Sequence, residues 1–114
     1  MAFIEYNVSE AVSTTEHSFT TDTAGPDTQT DEGMMQAHLD VSDMVTGDEL
    51  QIRVYEKISS GASQQIYYQS NLVGPQSPPV FVTPGIFVKH GWDVTCDAIA
   101  GTITVNGSVR VAPA

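Results

Sequence analysis

The chain has 114 residues, of which 40% are hydrophobic, enough for one globular domain with its own core. Four Lys and Arg residues stand against fourteen Asp and Glu residues, and this net charge of −10 argues against binding to nucleic acid or anionic membranes, which relies on basic residues. The single cysteine excludes an intrachain disulfide. The sequence has no run of about 18 apolar residues, so it predicts no membrane-spanning helix.

Short strand-like segments separated by turn-forming residues make up the chain, and no longer stretch has helical periodicity. The first ten residues lack the basic and apolar regions of a signal peptide, so we expect no Sec export. The predicted strands cover residues 3–9, 13–21, 34–41, 47–58, 64–73, 92–101 and 102–111, with two short extended pieces within 80–91.

The N-terminal part is predicted to form two strands and a loop. The Thr-rich stretch 13–21 favours a strand that faces solvent. Residues 22–33 contain no apolar residue except Ala24, which predicts a long polar loop. In the strand 34–41 that follows, alternate residues from Met35 to Val41 are apolar and should face the core.

Period-two alternation is clearest in residues 47–58, which predicts one buried and one wet face. The predicted buried face carries Leu50, Ile52, Val54 and Ile58. The predicted exposed face carries Gln51, Arg53, Tyr55 and Lys57.

The strand 64–73 places Ile66, Tyr68 and Leu72 on one face. Proline lacks the N–H that a sheet ladder needs, so residues 74–85 are predicted to form a proline-rich extended loop.

Two strands close the chain. Cys96 shares its parity with Trp92 and Val94, which favours a small buried hydrophobe over a reactive thiol. Gly107 in the last strand suits a β-bulge. About eight strands in a single domain spanning 1–114 predict an all-β, antiparallel, two-sheet β-sandwich of jelly-roll type.

Motifs for chemistry are absent from the sequence. It has no nucleophile elbow and no phosphate-binding glycine loop, and its three histidines are scattered. We therefore predict no enzyme, no catalytic residue, no cofactor and no metal ligand. A calcium loop is an alternative because oxygen ligands suit calcium and acidic residues are dense. The acidic residues concerned are Asp27, Asp31, Glu32, Asp40, Asp43 and Asp48.

Carbohydrate binding is a second alternative, because many sandwiches stack sugars on exposed aromatic rings. Tyr68 and Trp92 have core parity, which leaves Tyr55 and Tyr67 as the outward candidates. An aromatic residue on a strand more often packs against its cross-strand neighbour.

From Leu39 to Val111, about two thirds of the chain, the order of the segments resembles a group of small tailed-phage virion proteins. The segments are LDVSDMVTGDELQIRVYEKI, QQIYYQSNL, a PP break and WDVTCDAIAGTITVNGSVRV. The matching positions are Leu39, Asp40, Ser42, Met44, Gly47, Asp48, Ile52, Arg53, Val54, Tyr55, Lys57, Tyr68, Pro78, Pro79, Ala100, Gly101 and Thr102.

This resemblance implies a structural protein of the phage head, a capsid decoration (cement) protein that binds the outer surface of the major capsid shell and stabilises it. It implies no catalytic residue, a homotrimer as the oligomer, and the capsid exterior as the location. Assembly in the host cytoplasm agrees with a lone reduced thiol. The alternative is a tail or fibre module that binds host glycans.

Three sets of residues are predicted as protein interfaces. Arg53, Tyr55 and Lys57 hold two of the four cations, and Arg and Tyr are enriched at interfaces. Residues 1–9 and the loop 74–85 are candidate arms that could lie along a neighbour. Their candidate contact residues are Phe3, Tyr6, Pro78 and Pro79.

Overall fold

Two antiparallel β-sheets packed face to face form the fold in the computed structural model, which describes residues 2–114. This confirms the predicted all-β sandwich, with nine strands instead of about eight. The strands are β1 Ile4–Val12, β2 His17–Ser18, β3 Gly33–Asp40, β4 Glu49–Lys57, β5 Gln64–Val73, β6 Val80–Val82, β7 Ile86–Val88, β8 Asp93–Ala100 and β9 Ile103–Pro113.

Each sheet has one long edge strand and one edge made of short strands. In the five-stranded sheet β1 pairs with β9 and β9 with β3, while β6 and β7 both pair with the far side of β3. The four-stranded sheet has the order β2-β8-β4-β5. β5 is therefore the edge of one sheet, and β6 with β7 forms an edge of the other.

The core lies between the sheets and follows the predicted alternation. β3 and β4 bury every second side chain, and the buried residues of both are fully enclosed. Full burial of one Val, Leu, Ile or Met side chain contributes about 1.5–3 kcal/mol to folding. The core residues of these two strands are Met35, Ala37, Leu39, Leu50, Ile52 and Val54.

The Thr-rich segment 13–21 departs from the prediction of a solvent-facing strand. Only His17–Ser18 pairs, with β8, and both Ser18 and Phe19 are fully buried. Phe19 packs above Gly107, where the missing side chain leaves room for the ring. The predicted bulge at Gly107 is wrong, since β9 pairs with β1 and β3 there without a register shift.

A β-bulge does occur, between β4 and β5. Val54 pairs with Tyr68 and Tyr55 pairs with Ile66, so Tyr67 is left without a partner. The extra residue turns Ile66 to the outer face, where it is 48% exposed, which corrects its predicted inward position. Tyr68 and Leu72 keep the predicted side and pack against the core.

The buried face of β4 ends with a charged residue. Glu56, which shares the parity of Val54, is 3% exposed, whereas Ile58 lies beyond the strand and is exposed, contrary to the prediction. The Glu56 carboxylate accepts backbone N–H groups of Lys89 (2.5 Å) and Gly91 (2.9 Å). These bonds tie the turn after β7 to β4 and explain why a carboxylate is tolerated inside.

Each candidate arm belongs to the five-stranded sheet only in part, and within 74–85 only Val80–Val82 form a strand. Residues 4–9 belong to β1, which pairs with β9 along its full length, and Met1 of the predicted arm 1–9 lies outside the described residues. The expected break at Pro84 separates β6 from β7. There Thr83 Oγ1 accepts the Ala37 N–H (2.9 Å), so a side chain completes the ladder. Residues 2–114 contain no helix of sufficient length and hydrophobicity to cross a membrane.

Candidate protein–protein interface

The outer face of β4 is held by contacts within the chain. The Tyr55 hydroxyl donates to Glu16 Oε2 (2.5 Å), and a guanidinium nitrogen of Arg53 lies 3.5 Å from the same oxygen. Arg53 Nε also donates to Gln69 Oε1 (3.1 Å). Lys57 ends the strand and is half-buried. Of the three predicted contact residues on this face, Arg53 and Tyr55 thus make their polar contacts within the same chain.

Two carboxyl groups share this environment. Glu16 also accepts the Thr95 hydroxyl, and Asp97 lies 3.8 Å from the Arg53 guanidinium with one buried oxygen that has no hydrogen-bond partner. Burial raises the pKa of Asp97, Arg53 opposes the shift and Glu16 adds to it. Burial and the bond to Glu16 also raise the pKa of Tyr55, which keeps its hydroxyl a donor.

Asp93 fastens the segment before β3 over the four-stranded sheet. Its fully buried carboxylate accepts the Thr20 hydroxyl (2.6 Å), the Asp27 N–H (2.7 Å) and the Ser18 hydroxyl (3.0 Å). Burial raises the pKa of Asp93, and these bonds counteract the shift. Neither Asp93 nor Glu16 stands in a sequence motif, and their partners are distant in the chain, so no local pattern predicts their roles.

The two N-terminal candidates differ sharply in exposure. Tyr6 packs edge-on against the Trp92 ring (6.0 Å between centroids) and donates to the Asp31 carboxylate, and burial raises its pKa. Phe3 precedes β1 and is 67% exposed. Phe3 is therefore free to contact another molecule, and Tyr6 serves the fold.

Pro78 and Pro79 lie in the exposed segment between β5 and β6. The Pro79 carbonyl accepts the Val41 N–H (2.9 Å), which anchors the segment to the end of β3. Val80 and Val82 follow on β6 and are also exposed. The second candidate arm is thus a fixed surface segment next to exposed apolar side chains.

The outer face of the five-stranded sheet carries one shallow groove of about 300 Å³. Burial lowers the pKa of His38 within it, and the nearby Arg110 adds to the shift. Ser108, which lies opposite His38 on β9, donates its hydroxyl to Glu5 (2.5 Å). The groove is lined by Asn7, His38, Leu39, Asp40, Val80, Asn106, Gly107 and Ser108.

The six acidic residues of the calcium alternative do not converge. Each contacts another part of the chain instead: Asp27 accepts the Thr21 hydroxyl nearby, and Asp43 accepts the N–H of the distant Thr104 (2.7 Å).

A different group, Glu10, His17 and Asp22, has ligand atoms within 4.8 Å of one another. The two carboxylates face opposite nitrogens of the imidazole, with Asp22 2.8 Å from Nε2 and Glu10 3.7 Å from Nδ1. One imidazole presents a single nitrogen to an ion, so this geometry fits a histidine ring held between two carboxylates.

Cys96 is fully buried among core residues, and burial raises the pKa of its thiol. It lies on β8 with Trp92 and Val94 close by in sequence, both also enclosed. The thiol is therefore a packing group, as predicted from its parity.

Comparison with models of protein families finds no match, and comparison with curated proteins finds none. Among solved structures, the fold is similar to the Bacillus endospore appendages described as disulfide-linked pili, with TM-score 0.55, 13% identity, and coverage of 99% of this chain and 88% of that chain. It is also similar to the empty top component of cowpea mosaic virus, with TM-score 0.55, 8% identity, and coverage of 99% and 84%. A crystal structure of PirA gives TM-score 0.54, 8% identity and 94% coverage of both chains. At these identities the likeness concerns the fold.

Proposed function

We propose that this chain is a structural subunit of a bacteriophage head, a capsid decoration protein that binds the outer surface of the major capsid shell and stabilises it. It works by adhesion, as a homotrimer, and has no enzymatic activity. It is located on the exterior of the virion after assembly in the host cytoplasm.

One observation carries this proposal: ten large apolar side chains are at least 43% exposed among the 113 described residues, on a rigid two-sheet scaffold. Large apolar side chains exposed on a protein surface are candidate contacts for another protein. Phe3 is among them and lies next to an edge strand, where a neighbour could be contacted without disturbing the core.

The comparisons support an assembly role at the level of fold. A plant virus shell and a spore appendage are both built from subunits with this two-sheet fold over nearly the whole chain. The resemblance of residues 39–111 to tailed-phage virion proteins narrows the proposal to a phage head. The net charge of −10 supports the exterior location, because like charges repel packaged DNA.

Binding to shells tests the proposal directly. The isolated chain, mixed with DNA-free shells of the phage's major capsid protein, should co-sediment and saturate at a copy number set by the shell symmetry. Phe3→Asp should weaken this binding about tenfold or more, because it places a charge in an apolar contact. Thr46→Asp, a change at an exposed polar residue of a loop, is the control. Absence of shell binding, or density only at the tail, would contradict the proposal.

A glycan-binding tail or fibre module is the second candidate, favoured by the groove on the five-stranded sheet. Asn7, His38 and Asn106 present amide and imidazole groups there that suit sugar hydroxyls. Tyr67 on β5 is 43% exposed, so its ring is the predicted aromatic candidate that remains accessible to a sugar. A strong glycan-array signal lost in Asn106→Ala or Tyr67→Ala would favour this function over shell binding.

A further inference from the structure

Residues 58–88 contain no Asp, Glu, Lys, Arg or His. Lys57 and Lys89 border this stretch of 31 residues, and all fourteen acidic residues lie outside it. The chain has eighteen charged side chains in total, so an uncharged stretch of this length defines a distinct surface. We name residues 58–88 the uncharged flank.

The uncharged flank occupies one side of the sandwich. It contains β5, the edge of the four-stranded sheet, and β6 with β7, an edge of the five-stranded sheet. The segment 74–79 connects β5 directly to β6, so both edges belong to the same side. Only Gly74, Thr83 and Val88 of these residues are buried.

Apolar exposure is concentrated on this flank. Of the ten large apolar side chains that are well exposed among residues 2–114, seven lie within it. Phe87 is the most exposed of all, at 78%. The seven residues are Ile58, Ile66, Tyr67, Val73, Val80, Val82 and Phe87.

β5 also lacks the usual protection of an edge strand. Proteins discourage edge pairing with lysine, proline, short strands or bulges. β5 is ten residues long, has no charge and no proline, and carries one bulge near its start, at Tyr67. The remaining stretch from Tyr68 to Val73 pairs with β4 on one side only and ends at the exposed side chain of Val73.

We propose that the uncharged flank is the surface through which copies of this chain bind one another. Each copy carries a net charge of −10, and contact through any other side would bring acidic residues of two copies together. The flank is where two identical chains can meet without that repulsion. A second copy is the occupant because the flank is the long uncharged surface that two chains of net charge −10 have in common.

The size of the flank fits this role. A stable interface uses about 20–30 residues on each side, and 28 of the 31 flank residues are exposed or half-exposed. The inference deepens the proposed function by naming the surface that forms the oligomer. Its test uses the isolated chain, so its failure is distinct from a failure to bind shells.

Sedimentation velocity over a range of concentrations tests the proposal. The wild-type chain should sediment as an oligomer, and Phe87→Glu and Val73→Glu should each raise its dissociation constant about tenfold or more, with unchanged thermal unfolding. Val45→Glu, 60% exposed outside the flank, should leave the oligomer intact. Added salt should tighten the oligomer, because it screens repulsion between acidic copies.

Three results would overturn the proposal. One is a chain that stays monomeric at all concentrations, including the case in which Phe87→Glu instead abolishes shell binding and so assigns the flank to the shell. Another is an oligomer that survives both flank variants or is broken equally by Val45→Glu. The third is an oligomer that added salt dissociates, since this would indicate ion pairs between copies.

Discussion

The ring of Phe19 occupies the space that a side chain at Gly107 would need. A Cβ at position 107 would lie 2.6 Å from Phe19 Cδ2 and 3.1 Å from Leu39 Cδ2. Phe19 is fully buried and cannot swing outward, so the covering segment and β9 fit together only when residue 107 is glycine.

Gly107→Ala should therefore destabilise the fold by about 1–3 kcal/mol through overpacking. Urea unfolding followed by tryptophan fluorescence measures the change. Gly61→Ala is the control, since a Cβ there would meet no atom within 4 Å, and its stability should change little. Equal stability of Gly107→Ala and wild type would show that Phe19 is not tightly held.

Glu56→Gln should cost about 2–3 kcal/mol, because its amide NH₂ would face backbone N–H groups that now donate to a carboxylate. Amide exchange of Lys89, His90 and Gly91 should accelerate more than exchange elsewhere in the chain. Glu49→Gln on the same strand is the control, since Glu49 accepts only the exposed Asn71 amide (3.2 Å). If both variants lose the same stability, Glu56 has no special anchoring role.

Sequence periodicity is sufficient to predict which faces of the strands are buried. It fails where the packing of a single residue does not follow the alternation. The alternation in β3 and β4 identified the buried side chains correctly, because one face of each strand packs on the other sheet. Glu56 also stood at an inward position between Val54 and Ile58, and its parity alone was a signal that it would be buried. Its partners, near residue 90, could not be read from local sequence.

The remaining differences have long-range causes. A bulge opposite Tyr55 moved Ile66 to the outer face, and no residue type at that point specifies an extra residue. Phe19 was assigned to a wet strand because its neighbours are threonines, whereas its place depends on Gly107, far along the chain. Of the predicted interface residues, Phe3 stayed exposed, and Arg53 was engaged by Glu16 from another segment.

Asp97→Asn should become more stabilising relative to wild type as the pH rises. The pKa of Asp97 in the folded chain lies above its ordinary value, so the wild type is favoured below the unfolded pKa and loses that stability as the pH passes through the folded pKa. Asparagine does not ionise and avoids this loss. Urea unfolding of both proteins between acidic and neutral pH measures the difference.

Asp40→Asn provides the opposite sign as a control for Asp97. The hydrogen bond from the Ser42 N–H lowers the pKa of Asp40, so its stabilisation is present above the unfolded pKa and is lost as the pH falls. The free energy of unfolding of Asp40→Asn should thus fall relative to that of wild type as the pH rises. A pH-independent difference for Asp97→Asn would contradict the assigned environment of Asp97.

The Cys96 thiol should react with a thiol reagent about a thousandfold or more slowly in the folded chain than in urea, because reaction requires opening of the core. Burial raises the pKa of this thiol, which also suppresses the reactive thiolate. Absorbance of the released chromophore gives both rates. Rapid labelling of the native chain would mean that β8 opens readily.

The placement of charge along the chain bears on how far association could proceed. Every subunit that joins through residues 58–88 keeps eleven of its fourteen acidic residues exposed or half-exposed on the remaining outer surface. Electrostatic repulsion between subunits then increases with each added subunit, while less of the uncharged flank remains unoccupied. Growth should halt at a small closed ring, and such rings should remain dispersed in solution instead of extending into filaments.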